Sequence, residues 1–427
     1  MEVARARKLI MSTLLAVSVT LVPSVARGAT VLRVQDWKLT ETGATQKWFQ
    51  YVKERFEAEH PGVRVSYEPV GFGNEYVQKL IVQAAGQAVP DVVSLSIIWA
   101  RDLYTQGMLL PLNKYVERNP EVGPKAMIPG TQVYNHYGDV IYGVTNAMDV
   151  SALIYDMDAL EQAGLDSGPY AIGSWEEFLD YAKKLTKYGN DGKVVRWGFD
   201  FWPGSEDFAS WLTANGGSFY SNDLKSAGFN NKQGLETLQL YYDLRTRYKV
   251  AADSRTGANF MQATAAMGYG GAYSGYWAPH YVPQVKFNMT SFPPGPSGTK
   301  RGSVVWGNMY SIPKGAANPD LAWEFIRLYS SREMQIEMFK IMQSVTSPRI
   351  DFYQSKEYAE AYRQNMWMRM VPEIYSVGGI YPFLRSSEFD SEAWVKHIDP
   401  AIEGRIPLSQ GLGEAARILN RLLSEGQ

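Results

Sequence analysis

Trp37, Trp99, Trp202, Tyr273, Trp277 and Trp306 fall just past predicted strands or in glycine-containing loops, outside the apolar stripes of the predicted helices. Flat rings in such places suit the apolar faces of pyranose rings, with acids and amides ordering the hydroxyl groups around the edge. Asp36, Asp149, Asp200 and Asp207 stand at or near predicted strand ends, where α/β folds gather ligand contacts. Two chemistries fit these acids. They can accept hydrogen bonds from sugar hydroxyls, or two of them can flank a glycosidic bond and hydrolyse it. Any one of the tryptophans is equally well explained as a core residue, since Trp is highly buried on average. Together with Tyr273 they point to carbohydrate more strongly than each does alone.

Other chemistries find no residues to carry them. There is no Gly-x-Ser-x-Gly elbow, no Gly-x-x-x-x-Gly-Lys-Ser/Thr loop, no His-Glu-x-x-His pair and no Gly-x-Gly-x-x-Gly after a strand. The glycine-rich run Tyr269-Gly270-Gly271-Ala272-Tyr273-Ser274-Gly275-Tyr276 lacks a lysine for phosphate and reads as a bend presenting ring faces. His60, His136, His280 and His397 are scattered and read as surface residues, and with no cysteine in the chain thiolate chemistry, disulfides and iron–sulfur clusters are excluded. No cofactor or metal is expected.

The elements that must position these side chains alternate between strand and helix. Val31 to Val34 is a strand leading into Gln35-Asp36-Trp37; Trp48, Phe49, Val52 and Phe56 recur at helical spacing and Pro61-Gly62 stops that helix. Val63, Val65 and Tyr67 alternate as a strand, Tyr76, Val77, Leu80, Ile81 and Ala84 share a helical face, and Pro90 to Leu95 is a near-continuously apolar strand of the kind covered on both faces. The pattern restarts with strands at Ile141 to Val144 and Ala152 to Tyr155. A capping box at Ser174-Trp175-Glu176-Glu177 opens a helix through Lys187, Gly198 to Phe201 is a strand, and Leu235, Leu238 and Tyr242 share a helical face. Asn318 is the expected N-cap of a helix beginning at Pro319. The alternation predicts two α/β domains with mostly parallel sheets.

Length agrees, since 427 residues exceed the roughly 250–300 at which a single core stops growing. With 42 basic against 44 acidic residues, the chain lacks the excess that a phosphate backbone requires, and nucleic acid is not an expected partner. Residues 1–28 read as a signal peptide: Arg5, Arg7 and Lys8 precede an uncharged apolar run from Leu9 to Val22, and Pro23 precedes small residues. Cleavage fits after Ala26 or after Gly28. The run falls short of the roughly 18 residues that span a bilayer. Without cysteine there is no lipid anchor, so export to a periplasm as a soluble monomer is expected.

The order of segments resembles the extracellular solute-binding proteins of family 1, periplasmic receptors of ABC importers related to the maltose-binding protein. The resemblance covers nearly the whole chain after residue 28. It rests on Phe56-Glu57-Ala58-Glu59-His60-Pro61-Gly62-Val63, on Val89-Pro90-Asp91-Val92-Val93 leading to Gly107-Met108-Leu109-Leu110-Pro111-Leu112, and on Ile141-Tyr142-Gly143-Val144 with Ala152-Leu153-Ile154-Tyr155-Asp156. Ala265-Ala266-Met267-Gly268 and Tyr310-Ser311-Ile312-Pro313-Lys314-Gly315 complete it. It implies a two-lobe periplasmic binding fold of the class II type, closing on ligand by hinge bending. The implied crossovers lie near Ala147 to Ser151, Val304 to Asn308 and Ser347 to Phe352. The implied lobes are 29–147 plus 308–350 and 148–307 plus 351–427. The resemblance further implies that Asp149 contacts sugar from the first crossover, that Tyr273 stacks on it, and that Trp202 is a strand-end aromatic of the site. The chain departs from the family in carrying Ala263-Thr264 where Gly-Lys is frequent, and Trp306-Gly307-Asn308 where a Gly-Gly-aromatic stretch is usual.

The expected function is that of a periplasmic receptor capturing a sugar or oligosaccharide, through Asp36, Trp37, Trp99, Asp149, Asp200, Trp202, Tyr273, Trp277, Trp306 and Asn308, and delivering it to permease subunits. An exported glycoside hydrolase is the alternative of a different class. Arg349 and Arg385 keep a glycerol phosphodiester open as ligand.

Overall fold

The structure is a computed structural model that describes residues 29–425 apart from 203 and 344. The expected signal peptide, 1–28, lies outside the described residues. Strand Thr30–Asp36 pairs in parallel with Val63–Pro69 on one side and with Val92–Ser96 on the other. Each is followed by a helix: Ala44–Glu59, Asn74–Ala85 and Ile97–Thr105. Trp48, Phe49, Val52 and Phe56 are the buried face of the first helix, as their spacing predicts, and Val92–Ser96 is buried at every residue.

A strand of 13 residues, Val144–Asp156, then crosses to the second half of the molecule. Of the two strands expected here, Ala152 to Tyr155 lies within it, whereas Ile141 to Val144 contributes only Val144, and Ile141 belongs to the separate strand Val140–Ile141. Asn146, Asp149 and Ser151 are buried polar residues in the middle of the long strand, and they interrupt the apolar signal that would mark it as continuous. Its first half pairs antiparallel with Ser303–Ser311, and its second half pairs with Ala265–Gly271 and Phe287–Thr290. Ser303–Ser311 also pairs antiparallel with Val92–Ser96, so two adjacent crossover strands join the halves into one twisted sheet. In the second half Ala265–Gly271 and Val194–Asp200 pair in parallel. The α/β two-domain architecture is as expected. The sheet is mixed because the crossover strands run against each other and against Val92–Ser96 and Ala265–Gly271, while residues 303–305 also pair in parallel with Gly378–Ile380; a hydrophobic pattern marks a strand without marking the direction in which it returns.

The crossover pair carries two irregularities. Its register shifts between Asn308 and Met309, which locally increases twist. At Gly307 a Cβ would lie 2.3 Å from the Ala147 carbonyl oxygen, so only glycine lets the two strands approach here. Thr346 lies beside them, with Met148 N–H donating to its carbonyl at 2.8 Å, and further on the Pro348 carbonyl accepts from Ile128 N–H. Ser174 caps its helix by accepting from Glu177 N–H, as read from sequence. Asn318 does not cap: its backbone N–H and its side-chain amide both donate to Asp91. Among the described residues no helix is long and apolar enough to cross a membrane.

Candidate ligand-binding site

The strands of both halves end toward one another, and a cavity of about 550 Å³ opens there beside the crossover pair, within the range of ligand pockets. One wall is aromatic. In the crossover pair Trp306 lies opposite Asp149, and its ring is 6.1 Å from that of Tyr273 and 6.5 Å from that of Tyr381. Helix Ala272–Tyr281 adds Tyr276 and Trp277, whose rings are 4.8 Å apart. Facing them, Trp37 follows the first strand and packs edge-on against Phe72 at 5.1 Å. Trp37 Nε1 is buried and has no hydrogen-bond partner. Such a donor costs free energy until something accepts from it.

Trp37, Asp149, Trp202, Tyr273, Trp277, Trp306 and Asn308 of the predicted set line this cavity, and Asp36, Trp99 and Asp200 do not. Asp36 is buried behind it. One of its oxygens accepts from Lys38 N–H and the other from the Tyr310 hydroxyl at 2.7 Å, so it holds the turn that presents Trp37. Trp99 is packed between Tyr76 and Phe72 and supports the latter ring. Asp200 accepts from Phe260 N–H at 3.0 Å, and burial pushes its carboxyl up to about 7. Asp207 is wholly buried and accepts from Trp202 N–H at 3.1 Å. A strand-end carboxylate serves a backbone N–H as readily as a ligand, and sequence records the residue type without the direction of its oxygens.

Asp149 is a mixed case. It borders the cavity, yet Oδ1 accepts from Val150 N–H at 2.7 Å and from Ala272 N–H at 2.8 Å, and Oδ2 accepts from Tyr273 N–H at 3.0 Å. A carboxylate has about four acceptor positions, so at most one is left for a ligand. The Ala272 and Tyr273 donors open the helix that carries Tyr273, Tyr276 and Trp277. Asp149 therefore ties the first crossover strand to the aromatic helix, with the helix dipole in its favour. Burial raises its carboxyl to about 7, against the pull of those backbone donors.

Lys38, Glu41, Phe72, Glu206, Tyr276 and Tyr381 also line the cavity and were not among the predicted residues. Phe72 had a signal, since Gly71 and Gly73 flank it between a strand and a helix. Glu206 sits in the first turn of Ser205–Ala214, where an acid is explained without a ligand by the helix dipole. Tyr381 follows Gly378–Ile380, too short a strand to be read from pattern. Among the described lining residues Lys38 is the only basic one, and its Nζ lies 5.4 Å from the centre of the Trp37 ring. The arginines that kept a phosphodiester open are engaged elsewhere. Arg349 is buried against both oxygens of Asp351 and the carbonyls of Glu121 and Ser330, and Arg385 pairs with Glu388 at 3.1 Å. No group of three or more metal-ligating side chains occurs among the described residues.

Comparison with known proteins follows the same lines. A protein of Brucella abortus (strain 2308) named as a binding protein is 24% identical over 296 residues, 66% of this chain and 68% of that one. The cyclic alpha-maltosyl-1,6-maltose binding protein from Arthrobacter globiformis superposes with a TM-score of 0.78 at 18% identity, over 93% of this chain and 100% of that one. UgpB from Mycobacterium tuberculosis, solved in complex with glycerophosphocholine, gives 0.78 at 16% identity over 92% and 98%. Likeness at such identities speaks for the fold. The sequence model described as bacterial extracellular solute-binding protein matches residues 40–336, more than half of the chain, and the protein belongs to that family.

Proposed function

We propose that the protein is a periplasmic receptor of an ABC importer that closes two lobes over an uncharged sugar or oligosaccharide and delivers it to a permease, without chemistry on the ligand. The lobes in this reading are 29–147 plus 308–350 and 148–307 plus 351–427. The observation that carries it is the aromatic wall of Tyr273, Trp306 and Tyr381, faced by Trp37 and Phe72. Rings offer apolar surface to pyranose faces. Asn308, Lys38, Glu41, Glu206 and the unpaired Trp37 Nε1 offer hydrogen bonds to hydroxyls at the edge. The name of the Arthrobacter relative, a binder of a cyclic maltosaccharide, supports a sugar. UgpB supports a phosphodiester instead, but a phosphate needs cations and the lining offers Lys38 alone among its described residues. Of the four acids read at strand ends, Asp36, Asp149, Asp200 and Asp207, only Asp149 lines the cavity and three backbone donors occupy it, so they do not supply the pair of carboxyls that hydrolysis needs.

Incubation of the protein with a panel of neutral mono- and oligosaccharides, and with glycerophosphocholine, tests the reading by melting temperature and product analysis. A sugar at 100 times its dissociation constant adds about 2.7 kcal/mol of stability, and should be recovered intact. Stabilisation by glycerophosphocholine alone, or release of sugar fragments, overturns it.

A further inference from the structure

The cavity holds a carboxyl group with an arrangement unlike that of the other acids. Glu206 lines it, and the hydroxyl of Tyr381 donates to Oε1. Asp390, which does not line the cavity, accepts from both the N–H and the hydroxyl of Ser205, the residue before Glu206. Two carboxyls thus flank the start of helix Ser205–Ala214, one turned to backbone and one to the cavity. The titratable groups around Glu206 are Asp390 after Ser386–Phe389, Tyr381 beyond Gly378–Ile380, Tyr269 on Ala265–Gly271 and Tyr273 on Ala272–Tyr281. On its own helix, Asp207 is turned to Trp202 N–H. The other charged side chains on the cavity wall are Lys38, Glu41 and Asp149. Burial first, and then repulsion from Asp390, push the Glu206 carboxyl up to about 8, with no cation among the causes.

We propose that Glu206 is a specificity-determining residue that enters the complex as a neutral acid and donates its proton, from the oxygen not engaged by Tyr381, to an acceptor oxygen of the ligand. This rests on the reading of the cavity as the binding site and deepens it. A site built on acceptor carboxylates asks only for hydroxyl donors. A protonated carboxyl asks for an oxygen with a free lone pair, such as a ring oxygen, a glycosidic oxygen or a hydroxyl, and it cannot serve a ligand that offers donors alone at that point. Ionisation removes the donor and leaves a charge that closure would bury beside Asp390. The site therefore takes an uncharged ligand through that proton and loosens as the proton leaves.

The sign follows from the protonation state that binds. A ligand that takes only the neutral form keeps full affinity below about 8 and loses about tenfold between pH 7 and pH 9. The test has two arms. In the first, protein labelled with ¹³C at the glutamate carboxyls is titrated without ligand by NMR, the Glu206 signal being identified by its loss in Glu206→Gln. A midpoint near 8 is expected, and one in the ordinary range near 4 overturns the proposal. In the second, binding of maltotriose, mannobiose and tagatose is measured from pH 6 to 9.5. Affinity for the sugars that bind should fall above pH 7.5 in the wild type, and the profile should be flat in Glu206→Gln, whatever that variant's absolute affinity. A flat wild-type profile, or the same slope in Glu206→Gln, overturns the donor role. Failure of all three sugars to bind would count against the sugar reading, while the first arm still decides whether Glu206 holds its proton.

Discussion

Phe72 and Trp202 are exposed by 56% and 55% although they are large rings at a cavity mouth. So little burial means that their removal leaves the core intact. Phe72→Ala and Trp202→Ala should change unfolding free energy by less than about 0.5 kcal/mol and weaken sugar binding by about 1–3 kcal/mol each. Calorimetric titration beside urea unfolding checks this, and unchanged affinity in both variants removes these rings from the contact. Asp149 should behave in the opposite way. Asparagine has a single acceptor oxygen and turns an amide donor toward backbone N–H groups, so Asp149→Asn should lose about 1–3 kcal/mol of stability in the same unfolding assay. A variant of native stability with tenfold weaker binding would restore Asp149 to the role of a plain ligand contact. At this scale the sequence made residue types legible and orientations illegible. Trp306 and Tyr273, which line the cavity, stand out in the sequence as rings outside helical stripes. Asp36 and Asp200 do not line it and accept from neighbouring protein groups, and a carboxylate that holds a turn looks the same in one dimension as one that holds a sugar.

The aromatic helix Ala272–Tyr281 is fixed from two sides. Asp149 accepts from its first N–H groups, and at Gly275 a Cβ would lie 2.5 Å from the ring of Trp367 on the helix Met366–Ser376. That ring belongs to a packed layer and is no flexible tip. Gly275→Ala should therefore push the helix outward, cost about 1–3 kcal/mol by overpacking, and weaken sugar binding by displacing Tyr273 and Trp277 together. Urea unfolding and calorimetry on the variant measure both effects, and a variant with native stability and native affinity would mean that Trp367 yields freely. The elements themselves were largely legible, because the βαβ units of the first half keep clean periods of 2 and 3.6. Of Val144–Asp156 only Val144 and Ala152 to Tyr155 were read as strand, because its buried polar centre reads as a loop until the partner strand is seen. The Tyr269–Tyr276 run, read as a bend, is a strand entering a helix. Gly271 is needed at the junction because a Cβ there would meet the Val150 carbonyl oxygen at 2.5 Å.

For the whole molecule the two-lobe plan could be read from length, alternation and segment order, whereas the cavity's polar groups could not, since they come together only when the two halves face one another. The assembly also sets a pH dependence. Asp149, Asp200 and Asp390 are raised to about 7 and Glu206 to about 8, burial being the largest cause in each. Between about pH 4 and 8 the folded protein keeps protons that the unfolded chain has released, so stability is greatest on the acid side and falls as pH rises through 7 to 8. Scanning calorimetry from pH 5 to 9 should show a falling melting temperature, and a rising one would contradict the burial of these groups. The central claim is that an uncharged sugar lies between the lobes against the aromatic wall. It is tested most directly by a crystal structure of the protein grown with the sugar that raises its melting temperature most. The predicted result is a pyranose whose ring face lies within about 4 Å of Trp306 or Tyr273, with its hydroxyls on Asn308 and Glu206. Sugar bound elsewhere, such as in the shallow groove beside Tyr104 and Tyr137, with the aromatic cavity empty, would contradict it.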